Sequence, residues 1–82
     1  MKLYVGNLNE HIEEKQLKDA FCEFGKVTHA QVVRDNYTGK SKGFGYIEMP
    51  DNKQAINVIK NVNGGTWDGK KITVKKAYIW KA

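Results

Sequence analysis

The chain has one cysteine, one proline and one arginine in 82 residues. Each scarcity closes off a class of structure or chemistry. Cys22 has no second thiol to pair with, so an internal disulfide is excluded, and the composition suits a reducing compartment such as the cytoplasm. One cysteine and two well-separated histidines, His11 and His29, make no ligand cluster, so no metal site is expected. The lone arginine, Arg34, does not accompany a phosphate-cradling loop. Neither a Ser-His-Asp set nor a pair of facing carboxylates is suggested by position, so no enzymatic site and no cofactor are expected. No apolar run approaches the ~18 residues of a membrane span. The opening stretch, "MKLYVGNL", turns polar too soon for a signal peptide. Neither a membrane nor a small-molecule substrate is expected as a partner.

What is present is a short chain with uneven charge. Eighty-two residues make one domain near the size where a single core just suffices. Apolar residues make up 40% and mean hydropathy is -0.63, values of a water-soluble globular chain. Residues 1–41 hold six basic and six acidic groups, whereas residues 42–82 hold eight lysines and three acids. The whole net charge of +5 therefore sits in the second half. Lys70, Lys71, Lys75, Lys76 and Lys81 follow one another with no acid after Asp68. Such a stripe is the electrostatic footprint of a polyanion binder, and also what a merely well-solvated surface looks like.

The stretch "KGFGYIEM", residues 42–49, shows which. Side chains alternate across a strand, so Lys42, Phe44 and Tyr46 share one face while Ile47 and Met49 share the other. A domain of this size has one core, so one of those faces meets water. The rest of the chain settles the direction. "KLYVG" is a short strand with Leu3 and Val5 on one side and Tyr4 on the other. "EEKQLKDAFCEFG" reads as a helix whose Leu17, Ala20, Phe21 and Phe24 follow the i, i+3, i+4, i+7 spacing of a buried stripe. It lacks a Ser, Thr or Asp at its start, where Glu13 stands. "VTHAQVVR" is a strand with Ala30 and Val32 inward and His29, Gln31 and Val33 outward. "DNYTGKSK" is a turn-rich loop. Pro50 and Asp51 open a second helix, "NKQAINVIKNV", striped by Ala55, Val58, Ile59 and Val62. "TWDGKKITVKK" holds a glycine turn and a last strand with Ile72 and Val74 inward.

The order is βαββαβ, an α+β chain. Two helices with one apolar stripe each cover one face of a four-stranded antiparallel sheet and leave the other open. In this split, ferredoxin-like sandwich the first and third strands are the central pair. With Leu3, Val5, Ala30, Val32, Ile47, Met49, Ile72 and Val74 beneath the helices, parity sends Tyr4, Phe44 and Tyr46 to the open face. Cross-strand aromatic pairs do stabilise sheets. Three rings on a face with no layer to cover them point instead to a binding platform bordered by lysines.

These segments resemble the RNA recognition motif. "LYVGNL", residues 3–8, is similar to that family's hexameric motif. "KGFGYIEM" is similar to its octamer, K/R-G-F/Y-G/A-F-V-x-F/Y. Met49 stands where the octamer has an aromatic, a change that bears on packing. The resemblance implies that the chain binds single-stranded nucleic acid, RNA above all. Tyr4 and Phe44 would stack on bases, Tyr46 would pack against sugars or between nucleotides, and Lys42 would reach a phosphate. Gln31, Thr73 and Lys75 lie on the open face by parity and stand as candidate contacts, with Lys2 and Lys71 as further cations. Lys40 flanks the loop before the third strand. Tyr78 and Trp80 admit two readings, an extra base contact by Trp80 or an end that docks back on the platform. Residues 1–77 are read as the domain and 78–82 as a short extension. One such domain covers about two to four nucleotides. The whole resembles the stand-alone, monomeric members found in bacteria. Single-stranded DNA binding and a protein-interaction module on the same fold are the alternatives.

Overall fold

A computed structural model describes residues 1–77. Strand β1 spans Lys2–Gly6, helix α1 Glu14–Cys22, β2 His29–Arg34, β3 Ser41–Glu48 and helix α2 Asn52–Val62. A small hairpin of β4, Thr66–Trp67, and β5, Lys70–Lys71, precedes the last strand β6, Thr73–Lys76. The main sheet has four strands in the order β2-β3-β1-β6, with all three pairings antiparallel. The first and third strands are the central pair, as the residue pattern implied.

The apolar alternation places the core. Leu3, Val5, Val32, Ile47, Met49, Ile72 and Val74 are buried on one face of the sheet, and Ala30 packs partly buried against them. Leu17 and Phe21 from α1 and Ala55 and Val58 from α2 close the layer above. Met49 is fully buried, so the octamer's departure from an aromatic fills the core.

The two helices start differently. At α2, the Asp51 side chain accepts from the backbone N–H groups of Lys53 and Gln54 at 2.9 and 3.1 Å, satisfying donors the helix leaves open. At α1, Glu13 takes the cap position in extended conformation, and its own N–H donates to the Gln16 side chain at 2.8 Å. Gln16, three residues on, thus supplies the reciprocal half of a capping box.

Phe24 departs from the expected stripe. It is 51% exposed. Helix α1 ends at Cys22, and the Phe24 N–H donates to the Phe21 carbonyl at 3.0 Å, a tighter i to i+3 turn. The 3.6-residue arithmetic that placed Phe24 inward stops two residues before it.

The β4–β5 hairpin is the other addition. Asp68 and Gly69 have φ of 54° and 80°, the pair of positive values that a two-residue type I′ turn requires. It carries Trp67 onto Phe21, ring centroids 6.3 Å apart, so Trp67 packs against the core.

Candidate nucleic-acid interface

The solvent side of the sheet carries the three rings side by side. Tyr4 and Tyr46 are direct partners across β1 and β3, and Phe44 lies opposite Gly6. Tyr4 and Phe44 have centroids 5.6 Å apart with planes 29° from parallel. Tyr46 stands edge-on to both, at 5.9 Å from Tyr4 and 6.3 Å from Phe44. All three are half-buried by each other and by the sheet, with faces still open to solvent. Neither α1 nor α2 lies over them, because both apolar stripes belong to the opposite face.

Two glycines of the motifs have a measurable reason. A Cβ at Gly6 would come within 2.5 Å of the Tyr4 hydroxyl and 2.6 Å of its ring, so the ring lies directly over this residue. A Cβ at Gly45 would collide with the Gln31 carbonyl of β2. That close approach accompanies the irregular register of β2 between Val32 and Arg34.

The remaining candidates fall around the rings. Gln31 is exposed opposite Tyr46, and Thr73 is exposed opposite Gly6. Lys75 sits across from Tyr4 and holds its Nζ 5.2 Å from the centre of that ring. Lys42 is exposed at the start of β3. Lys2 stands at the far end of β1 opposite Glu48. Burial lowers its pKa, and the nearby Glu48 charge opposes that shift. Beside the rings is an open depression of about 470 Å³, lined in part by Tyr4, Asn7, Lys42, Phe44, Thr73 and Lys75.

Lys70 lines the same depression, and Lys71 does not. The Lys71 stem runs toward Gly64, while its carbonyl accepts from the Asn7 amide at 2.6 Å. The hairpin register turns one lysine toward the rings and its neighbour away. The Asp-Gly pair between Trp67 and Lys70 is the signal that would have given this register. Tyr37 lies on the loop between β2 and β3 and does not line the depression. It is 98% exposed on a loop held by Asp35, whose side chain accepts from the N–H groups of Tyr37 and Thr38 at 2.8 and 3.0 Å. Those two bonds, Thr38 first, lower the Asp35 pKa, and the Lys42 charge adds to the effect. Tyr78 and Trp80 lie outside the described residues.

Among the described residues, no group of three or more His, Cys, Asp or Glu side chains could hold a metal ion. His11 meets Asp68 across the β1–α1 and β4–β5 loops, a contact between two surface turns. No helix among them is long and apolar enough to cross a membrane.

Comparison with known proteins agrees with this geometry. The chain is 41% identical over 76 residues to the glycine-rich RNA-binding protein 4, mitochondrial, of Arabidopsis thaliana, covering 93% of this chain and 56% of that protein. It is 38% identical over 76 residues to the chloroplastic RNA-binding protein CP29B of the same plant, covering 93% of this chain and 26% of the relative. The chain therefore spans well under two thirds of the length of these relatives. The crystal structure of RNA binding protein PG1 superposes with a TM-score of 0.95 at 38% identity, covering 100% of this chain and 99% of that one. With its two motifs on the paired central strands, and with the model of the RNA recognition motif matching residues 3–73, the chain belongs to the RNA recognition motif family.

Proposed function

We propose that the chain binds single-stranded RNA on the open face of its sheet, as a binding module rather than an enzyme. The observation that carries this reading is the near-parallel Tyr4–Phe44 pair with Tyr46 edge-on beside it, on the face of the sheet opposite α1 and α2. Every base has a π-face, and stacking on such rings contributes ~1–3 kcal/mol per base. Lys42, Lys70 and Lys75 surround the rings at positions suited to phosphates, with Lys2 at the far end of β1 and Lys71 farther out on the hairpin. Gln31 and Thr73 present hydrogen-bonding groups beside Tyr46 and Gly6, where base edges would lie. Trp80 is a further contact on the sequence reading alone.

Residues 1–77 act as the domain and 78–82 as its extension. A monomer suits both outer strands. On β2 the Val32 N–H donates to Glu14 at 3.1 Å, and on β6 the Val74 N–H donates to Asn63 at 2.9 Å. Side chains thus cover part of each edge that a second sheet would use. A cytoplasmic location rests on the single exposed Cys22, while the relatives named above carry chloroplastic and mitochondrial names.

The test is fluorescence anisotropy with labelled oligouridine, random RNA and random single-stranded DNA of equal length, at fixed salt. RNA binding that Phe44→Ala weakens is the expected result. Equal binding by the Phe44→Ala chain would overturn the platform. Tighter binding to the DNA would make single-stranded DNA the main ligand.

A further inference from the structure

Tyr4 would ordinarily stand up from the sheet, since side chains on a strand project roughly perpendicular to it. Here it lies down along β1. Its ring covers position 6, the next residue on the same face, where a Cβ would sit 2.5 Å from the hydroxyl, 2.6 Å from Cε1 and 2.8 Å from Cζ. Position 6 has Phe44 on one flank and Thr73 on the other. A ring laid over it is therefore brought beside Phe44, the residue opposite Gly6 and not opposite Tyr4. The 5.6 Å separation and 29° tilt of that pair follow from this pose.

We propose that Gly6 is a positioning residue for nucleic-acid binding: its missing side chain is the slot that lays Tyr4 flat beside Phe44. The inference rests on the RNA-binding reading for its consequence, though not for its geometry. Any Cβ at position 6 has to lift the ring. The Tyr4 side chain is free to turn into solvent, so the backbone need not move. Gly6 is not among the glycines with positive φ, so alanine costs nothing there in conformation. An added Cβ in a strand interior usually stabilises, because glycine loses more chain entropy on folding. Stability and affinity should then move in opposite directions, which a purely structural role for Gly6 would not produce.

The experiment is a double-mutant cycle of Gly6→Ala and Tyr4→Ala, read by oligouridine affinity, by thermal melting and by NMR of the Tyr4 ring protons in the free protein. Gly6→Ala should weaken binding about five- to tenfold, with a melting temperature equal or higher. It should also remove the upfield ring-current shift that Phe44 imposes on Tyr4. In the Tyr4→Ala background the same substitution should change affinity less than twofold. Unchanged affinity in Gly6→Ala, or an equal loss in both backgrounds, would overturn the proposal. So would an unshifted Tyr4 ring. If Gly6→Ala alone unfolds, recovery of the fold in the double variant places the collision in the Tyr4 ring, and failure to recover overturns it. Should the wild-type chain bind no oligonucleotide, the RNA reading falls, and the Tyr4 ring shifts still decide whether Gly6 sets the pose.

Discussion

Lys75 holds its ammonium 5.2 Å from the centre of the Tyr4 ring, across the β1–β6 pair. At an exposed site such a contact contributes about 0.5–1 kcal/mol. A base stacking on that side of Tyr4 has to displace the ammonium, which is then free to meet a phosphate. On the proposed reading, Lys75 would compete with the base before binding and assist the backbone after it. Lys75→Met should lower the slope of log affinity against log salt by about 0.7, the value for one phosphate neutralised on a single strand. Its loss of affinity at low salt should be smaller than that of Lys42→Met, because freeing the Tyr4 ring offsets part of it. Titrations at several salt concentrations measure both, and an unchanged slope would remove Lys75 from the phosphate contacts.

Phe44→Ala should cost ~1–3 kcal/mol of binding through one lost stack. Its effect on folding should be near 1 kcal/mol, since only the ring contacts with Tyr4 and Tyr46 are lost and no cavity opens in the core. Anisotropy and thermal melting on the same preparation separate the two. A loss of several kcal/mol in stability with normal binding by the folded fraction would mean that the ring belongs to the core.

Glu14 gives a pH-dependent prediction. Its carboxylate accepts from the Arg34 guanidinium at 2.8 Å and from the Val32 N–H at 3.1 Å. The Arg34 bond above all holds its pKa below the ordinary value of 4.5, with burial opposing and the Val32 bond assisting. The folded state thus favours the charged form. Its stabilisation is complete above the ordinary pKa and is lost as pH falls through the depressed one. Glu14→Gln should melt lower than wild type at neutral pH, and the gap should close in acid. A gap that persists unchanged down to the lowest pH at which both fold would rule out the charge as its source.

Most of the fold was legible because two periodicities were clean. Leu3, Val5, Ile47, Met49, Ile72 and Val74 alternate, and Ala55 and Val58 recur at helical spacing, so sheet, helices and open face follow from parity. The platform followed too, since Tyr4, Phe44 and Tyr46 have the wrong parity for the core. What parity cannot give is where a period stops. The tight turn after Cys22 took Phe24 out of the helical stripe. The positive φ values at Asp68 and Gly69 make the tight hairpin that puts Lys70 in the depression beside the rings, a placement that parity along the last strand could not give. The reclining pose of Tyr4 was hidden for another reason: it depends on a side chain that position 6 lacks.

The contrast between Phe21 and Phe24 makes the last prediction. Both lie at the α1 end of the chain three residues apart, and both fit one apolar stripe on paper. Phe21 is 2% exposed and touches Trp67, whereas Phe24 is 51% exposed. Truncating a fully buried phenylalanine removes its transfer free energy and leaves a cavity, at a cost of about 3–5 kcal/mol. At Phe24 the surroundings are half solvent, so water fills the space and no cavity forms. Phe24→Ala should cost roughly 1 kcal/mol or less, in proportion to the half of the ring that is covered. Urea titration monitored by circular dichroism measures both variants against wild type. Comparable losses at the two positions would mean that α1 runs a turn further in solution and buries Phe24 after all.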